Sequence, residues 1–277
     1  MGSICEDAPN MFNLIKIKIE NMSKIAVIDA DSLIYYEMGK PTLEEAMESL
    51  DMRIRQIINF AEAEFFIGFL TLGKCFRYGI AKTKPYKYNR KGGTPKPPIF
   101  YALKEYIQQK WGFYGVPGLE ADDLVAIFRN EFQDSVICSP DKDVLEQLVG
   151  RHFNYGKQEF VNTTEQEADE FLVKQVLMGD STDGIPGIPK VGKKTAEKWI
   201  DQANYDIECI RGMAFRKYME KFGYAEGILK FAETFSLVYL LRTKQEAYNM
   251  GILESELVFR VTDIQNFNKT DDEDEEW

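Results

Sequence analysis

The sequence predicts an α/β fold built on a parallel sheet, followed by a smaller helical region. Three observations predict it. Short β-branched apolar runs alternate with stretches of helical periodicity. At 277 residues the chain can form one large or two unequal domains and bury a full core without disulfides or a structural metal. After residue 186 the strand signals largely stop, and 192–262 read mainly as helices.

The elements follow in order. Residues 1–22 read as an extension ahead of a second start at Met22-Ser23-Lys24. Lys16, Lys18 and Glu20 interrupt its apolar residues, so it lacks the core of a signal peptide. Ile25-Ala26-Val27-Ile28 reads as a buried strand. Met47, Leu50, Ile54, Ile57, Ile58 and Ala61 recur at helical spacing. Phe65–Leu72 is a second buried strand. With Gly73 it makes the longest uncharged apolar run, about half of the ~20 residues a membrane helix needs. Leu124, Ile127 and Phe128 mark a helix preceded by Pro117-Gly118, Ser135–Cys138 is a third strand, and Val144, Leu145 and Leu148 lie on the next helix. No repeat at 20–50 residues is evident.

Composition narrows the chemistry. A single histidine, His152, leaves no room for a His-rich metal site. Cys5, Cys75, Cys138 and Cys209 are scattered without a C-x-x-C pair, which argues against zinc ribbons and disulfides and suits a reducing cytoplasm, or a host cytoplasm for a viral protein. The 45 acidic against 34 basic residues give a net charge of −11, which alone argues against a nucleic-acid partner. The distribution argues differently. Six acids crowd into Asp271–Glu276, a block that repels itself and reads as a tail. Ten basic residues fall between Lys74 and Lys110 against Glu105 alone, with Tyr78, Tyr86, Tyr88, Phe100, Tyr101 and Tyr106 between them. Charge for phosphates and ring faces for bases suit a single strand. Gly92–Pro98 within it reads as a flexible loop, and a second basic cluster, Lys190, Lys193, Lys194 and Lys198, follows Gly184–Pro189.

The remaining acids gather at element ends. Asp29 and Asp31 follow the first strand. Glu120, Asp122 and Asp123 open a helix. Asp141 and Asp143 follow the third strand, and Asp180 and Asp183 sit in a Gly-Asp-Ser-Thr-Asp-Gly loop. Singly, each reads as a helix cap or turn residue. Together, at the carboxyl edge of a parallel sheet where ligands bind, they repel unless cations occupy them. Oxygen donors without His or Cys point to Mg²⁺ or Mn²⁺. Two such ions can clamp the attacking and leaving oxygens of a phosphodiester displacement.

Val27-Ile28-Asp29-Ala30, Gly118-Leu119-Glu120-Ala121-Asp122-Asp123, Ser139-Pro140-Asp141-Lys142-Asp143 and Gly179-Asp180-Ser181-Thr182-Asp183 resemble, in order and spacing, the acidic motifs of the structure-specific 5′-nucleases. These are the flap endonucleases and 5′–3′ exonucleases, including phage exonucleases and the nuclease domain of bacterial DNA polymerase I. The resemblance runs from about 24 to 200. It implies a PIN-like core with helices on both faces, a helical arch and a helical domain carrying a helix–three-turn–helix element. It implies one metal ion bound mainly through Asp29, Glu120, Asp122 and Asp141, and a second drawing on Asp143, Asp180 and Asp183, with Asp123 near both. Asp31 has no firm equivalent and is read as an outer residue. Many relatives carry a further Asp after the second strand, where this chain has Thr71-Leu72-Gly73-Lys74.

Tyr86-Lys87-Tyr88-Asn89-Arg90 resembles part of the arch. By that resemblance Lys87 and Arg90, at i, i+3 on one helix face, reach the scissile phosphate, and Tyr86 stacks on a base. Ile185–Ala196 resembles the helix–three-turn–helix element. There Gly187 and Gly192 let the backbone approach a phosphate, Lys193 and Lys194 add charge, and backbone oxygens hold K⁺. The expected organisation is an extension at 1–22, a nuclease core at 23–185 with the arch at about 76–100, a duplex-binding helical domain at 186–262, and an acidic tail at 263–277. The expected activity is Mg²⁺- or Mn²⁺-dependent 5′–3′ exonuclease and flap endonuclease cleavage by a monomer. Its substrates are DNA with 5′ flaps, nicks or 5′ ends, and RNA–DNA primers, with no membrane partner and with the tail available to a replication protein. Two rivals stand beside it. One is a haloacid-dehalogenase-like phosphatase using Asp29 of Asp29-Ala30-Asp31-Ser32. The other is an inactive protein that only binds branched DNA.

Overall fold

The computed structural model describes residues 24–90, 95–203 and 207–268. The expected extension at 1–22, the acid block at 271–276 and Gly92-Gly93-Thr94 lie outside them. The central sheet has six strands in the order β5-β4-β3-β1-β2-β8. β1 (Ile25–Asp29) is its axis, parallel to β2 (Phe65–Phe69) on one side and to β3 (Val136–Cys138) on the other. β3 pairs in parallel with β4 (Gly150–Asn154), and antiparallel β5 (Glu159–Thr163) and β8 (Thr262–Asp263) close the two edges.

β1 alternates between the two faces, as a strand buried on both sides must. Ala26 and Ile28 face α1 (Asp31–Glu37), α2 (Leu43–Phe60) and α4 (Pro98–Trp111), through Leu33, Leu50, Ile54, Leu103 and Trp111. Ile25 and Val27 face α5 (Ala121–Glu131) and α6 (Lys142–Gln147), through Leu124, Phe128 and Val144. The helices start where side chains can cap them. Thr42 accepts the Glu45 amide for α2, Glu120 and Asp123 form a capping box for α5, and Asp141 caps α6. Thr164 and Glu167 do the same for α7 (Glu165–Met178).

A third apolar cluster joins α7 to the helices after it. These are α8 (Lys193–Gln202), α9 (Ile207–Phe222) and α10 (Tyr224–Val238), with α11 (Lys244–Asn249) returning against the sheet. Between α7 and α8 a two-stranded ribbon, β6 (Gly179–Asp180) and β7 (Ile185–Pro186), sets the acidic loop.

Four expectations change. In its described part the 76–100 stretch is only partly helical: it holds a four-residue helix, α3 (Arg77–Ile80), one 3₁₀ turn, Tyr88–Arg90, and the start of α4 from Pro98. Pro85 and the left-handed Lys87 (φ 54°) interrupt any helix between them, so Lys87 and Arg90 do not share an α-helix face. The acidic tail does not begin at 263. Thr262–Asp263 form edge strand β8, and Phe267 stacks on Trp111 at 4.6 Å. The β4–β5 hairpin was not anticipated, because β5 is half exposed and polar; an Asx turn at Asn154 joins its strands. Gly187 is required by packing, not by a phosphate. A Cβ there would lie 2.1 Å from the Met178 carbonyl carbon and 2.3 Å from the Gly179 amide.

Gly187→Ala is therefore expected to destabilise the protein by about 1–3 kcal/mol through forced separation of β6 and β7. Denaturant unfolding measures it.

Candidate metal and nucleic-acid site

The sheet's carboxyl edge collects acids from four segments. Asp29 ends β1 and is 2% exposed. Its Oδ2 accepts the Ser139 hydroxyl at 2.7 Å and its Oδ1 the Asp31 amide at 3.4 Å. Glu120 and Asp122 come from the start of α5, Asp141 and Asp143 from the start of α6, and Asp180 and Asp183 from the ribbon loop. Glu120, Asp122, Asp143, Asp180 and Asp183 line one narrow gap of about 20 Å³ together with Gln175 of α7. A larger cleft, of about 610 Å³, opens beside it and shares Gln175 and Asp180; Lys142, Lys174 and Lys193 line it.

Crowded charge shows in the titration of these groups. Burial and the neighbouring Asp31 push the Asp29 carboxyl up to about 7. Burial, with Asp29 and Asp141 close by, holds Asp122 well above the usual carboxylate range. Asp143 is pushed up to about 6 by burial and Asp141, against the pull of Lys142 at 3.1 Å. Glu120 goes the other way. Burial alone would raise it, but the Arg77 guanidinium and the Lys87 ammonium outweigh burial and hold it at about 2.

The structure assigns Asp123 a different place from the expected one. It is fully buried, and its two oxygens take a bidentate pair from Arg77 at 2.7 and 2.8 Å and the Leu241 amide at 3.0 Å. With both oxygens committed to Arg77 and the Leu241 amide, it positions α5 rather than facing a metal ion. Tyr86 is also corrected. Its ring is 4% exposed and its hydroxyl, with one proton to donate, lies 2.9 Å from both Glu120 and Asp183, so no ring face is open to a base.

Lys87 and Arg90 do reach the acids. Lys87 Nζ lies 2.5 Å from Glu120 and 3.7 Å from Asp183; Arg90 Nη2 lies 2.6 Å from Asp183. The 3₁₀ turn, closed by the Arg90 amide on the Lys87 carbonyl, turns both toward Asp183. Lys193 and Lys194 stand exposed at the first turn of α8, and Gly192 is its N-cap with open space where a Cβ would be. His152 is buried in β4 on the Leu148 carbonyl, with its pKa pushed down to about 4 by burial, and stands away from the acids.

Sequence reasoning missed Arg77 and Gln175. Arg77 counts as one more base in a basic run, and only the fold shows four acceptors converging on it: Glu120, Asp123 and the Leu237 and Tyr239 carbonyls. Gln175 donates to Asp143 at 2.9 Å from a helix whose sequence carries no motif.

Among the described residues no three His, Cys, Asp or Glu side chains close into a ready-made coordination shell. The donor chemistry nevertheless fits hard divalent cations. All donors are oxygens, and the charged form of Asp122 is disfavoured by nearby Asp29 and Asp141, as that of Asp29 is by Asp31 and Asp141, a repulsion that a cation relieves.

No family model matches the chain. The 5′-3′ exonuclease of Buchnera aphidicola from Acyrthosiphon pisum is 37% identical over 120 residues, covering 36% of this chain and 42% of that protein. DNA polymerase I of Mycobacterium tuberculosis is 33% identical over 163 residues, 49% of this chain and 18% of that protein. The chain matches less than two thirds of the length of these relatives. Among solved structures, the bacteriophage T5 D15 flap endonuclease, in complex with DNA and metal ions, superposes with a TM-score of 0.63 at 19% identity. The match covers 79% of this chain and 89% of that one. The T5 5′-exonuclease with bound zinc gives a TM-score of 0.60 at 18% identity, covering 83% and 98%. The sequence relatives are 5′-3′ exonucleases and DNA polymerase I, and the fold is similar to that of the T5 flap endonuclease. The PIN-like parallel-sheet core expected from the 5′-nuclease resemblance is present.

Two outcomes follow from these pairings. Arg77→Leu leaves Asp123 buried without a cation and is expected to cost about 3–5 kcal/mol in denaturant unfolding. The second concerns pH in chelator-treated protein. Asp29 binds its proton more tightly folded than unfolded, so its contribution is complete below about pH 4 and is lost as pH rises toward about 7. Relative to wild type, Asp29→Asn is therefore expected to gain stability between pH 5 and 7.5, measured as the difference in unfolding free energy.

Proposed function

We propose that the protein is a divalent-metal-dependent 5′-nuclease, acting as 5′–3′ exonuclease and flap endonuclease at junctions of single- and double-stranded DNA. The observation that carries this reading is the convergence of carboxylates from β1, α5, α6 and the ribbon loop beneath Lys87 and Arg90. In this reading Asp29, Glu120, Asp122 and Asp141 hold one Mg²⁺ or Mn²⁺, and Asp143, Asp180 and Asp183 a second. Bound there, the ions supply an activated water and a Lewis acid for the phosphodiester oxygens.

The chain's own residues do the rest. Ser139 and the Asp31 amide orient Asp29, and Gln175 orients Asp143. Lys87 keeps its proton. Burial opposes its charge, but Glu120 and Asp183 outweigh burial, so it presents an ammonium to a phosphate. Lys87 and Arg90 then stabilise charge developing on the phosphoryl oxygens. Lys193 and Lys194 on α8 grip duplex backbone without reading bases. Residues 23–185 form the catalytic core and 186–262 the duplex-binding part, where a K⁺ on backbone oxygens near 185–192 belongs to the same proposal. RNA–DNA primers fall within the substrate class. No described helix is long and apolar enough to cross a membrane.

The test uses 5′-flapped, nicked and blunt duplexes with Mg²⁺ or with chelator. Cleavage is expected with Mg²⁺ only, leaving a 5′-phosphate. An Asp141→Asn/Asp143→Asn protein should lose at least about 100-fold in rate, because several kcal/mol of charge stabilisation depends on the ions. Lys87→Ala should lower kcat by roughly 10²–10³ with duplex affinity nearly unchanged. Undiminished cleavage by the double variant, or cleavage in chelator, overturns the reading.

A further inference from the structure

The strap of residues 82–90 carries Lys87 and Arg90 but makes little apolar core of its own, so what holds it matters. Its far end is tied to the ribbon loop. Asn89 donates to the Ser181 carbonyl at 2.8 Å and the Thr182 carbonyl at 2.9 Å, and the Lys87 amide donates to the Asp183 carbonyl at 2.8 Å. Its near end is tied to α10. Glu233 Oε1 accepts the Lys82 amide at 2.5 Å and the Thr83 amide at 2.6 Å, while Oε2 accepts the Thr83 hydroxyl at 2.6 Å. Charge-assisted bonds of this kind are about twice as strong as neutral ones. Burial of Glu233 works against its charge, but the Thr83 hydroxyl and amide outweigh it and keep the carboxyl below its usual range.

The path from that anchor to Lys87 has little slack. Only Lys84, Pro85 and Tyr86 intervene; Pro85 has a fixed φ, and Tyr86 is buried with its hydroxyl on Glu120 and Asp183. Lys87 itself sits at φ 54°, a conformation that persists in a side-chain-bearing residue only when its surroundings over-determine it. The same stretch of α10 grips two other parts of the site. Thr234 donates to the Pro186 carbonyl at 3.0 Å, and the Leu237 carbonyl accepts Arg77 Nε at 3.0 Å.

We propose that Glu233 is a positioning residue. From the helical region it fixes the root of the strap, so that seating of α10 sets where Lys87 and Arg90 stand over the carboxylates. For its kinetic readout the proposal rests on the nuclease reading; its structural readout does not.

The experiment compares Glu233→Ala and Glu233→Gln with wild type on a 5′-flapped duplex with Mg²⁺, and measures amide hydrogen exchange across the chain. A misplacement on the scale of 1 Å should make Glu233→Ala roughly 10–100-fold slower in kcat with KM little changed. Glu233→Gln, which keeps an acceptor for both amides, should recover most of that loss. Because much of the effect runs through Lys87, the losses in Lys87→Ala/Glu233→Ala should be clearly less than additive. Amides of 82–90 should exchange at least about tenfold faster in Glu233→Ala, with those of α7 unchanged. Additive losses in the double variant, or unchanged exchange at 82–90, overturn the proposal. If wild type cleaves none of the duplexes, the nuclease reading fails and the exchange measurement alone decides whether Glu233 anchors the strap.

Discussion

The buried Arg77 guanidinium is the interaction on which the rest of the site depends. It is 2% exposed and reaches Glu120, Asp123 and the Leu237 and Tyr239 carbonyls. These partners belong to the start of α5 and the end of α10, so with α3, which carries Arg77, one cation pins three segments that are far apart in sequence. A buried charge is tolerated only with this degree of pairing. Asp123 extends the junction by accepting the Leu241 amide, which ties the chain beyond α10 to the same point. The α/β core and the helices after it are therefore joined through a polar hub as well as through the apolar cluster shared by α7, α8, α9 and α10.

Around this hub, the acids divide by the company they keep. Glu120 and Asp183 face the cations of the chain itself, and Arg77 and Lys87 hold Glu120 well ionised. Asp122 stands close to Asp29 and Asp141, and burial with these like charges raises the carboxyls of Asp29 and Asp122 above their usual range. A fold maintains such a repulsive pair only where something outside the apolar core makes use of it, and strongly perturbed carboxyls in a cleft are a mark of functional sites. The −11 net charge is legible in the same terms. Setting aside six acids at 271–276 and the seven at the site leaves +2, spread over a surface that includes the strap and the start of α8.

Most of the fold was readable because its signals are local. Ile25–Ile28, Phe65–Phe69 and Val136–Cys138 are apolar enough to be strands buried on both faces, and the helices between them keep an apolar stripe. The acidic motifs were readable because chain order places each just after a strand or at a helix start. What could not be read depended on contacts across the chain. Tyr86 looks like a stacking ring in a basic run, yet Glu120 and Asp183 capture its hydroxyl and draw it inside. Arg77 looks solvated until the carbonyls of α10's end are seen. Gly187 looks like a phosphate loop, but its missing side chain makes way for the Met178–Gly179 backbone.

The capping and ligand readings of the acids also prove not to compete. Asp141 caps α6 through the Asp143 amide at 2.8 Å, and Glu120 with Asp123 forms the capping box of α5. A cap fixes its carboxylate against rotation at the helix start, and an oriented oxygen is what a bound cation needs. Where β3 turns into α6, one turn serves both purposes: it ends the strand at the sheet's carboxyl edge, and it leaves the oriented Asp141 carboxylate there. The division of labour inside one capping box follows from burial alone. Asp123 points inward and is consumed by Arg77, while Glu120, part-exposed, remains at the edge beneath Lys87.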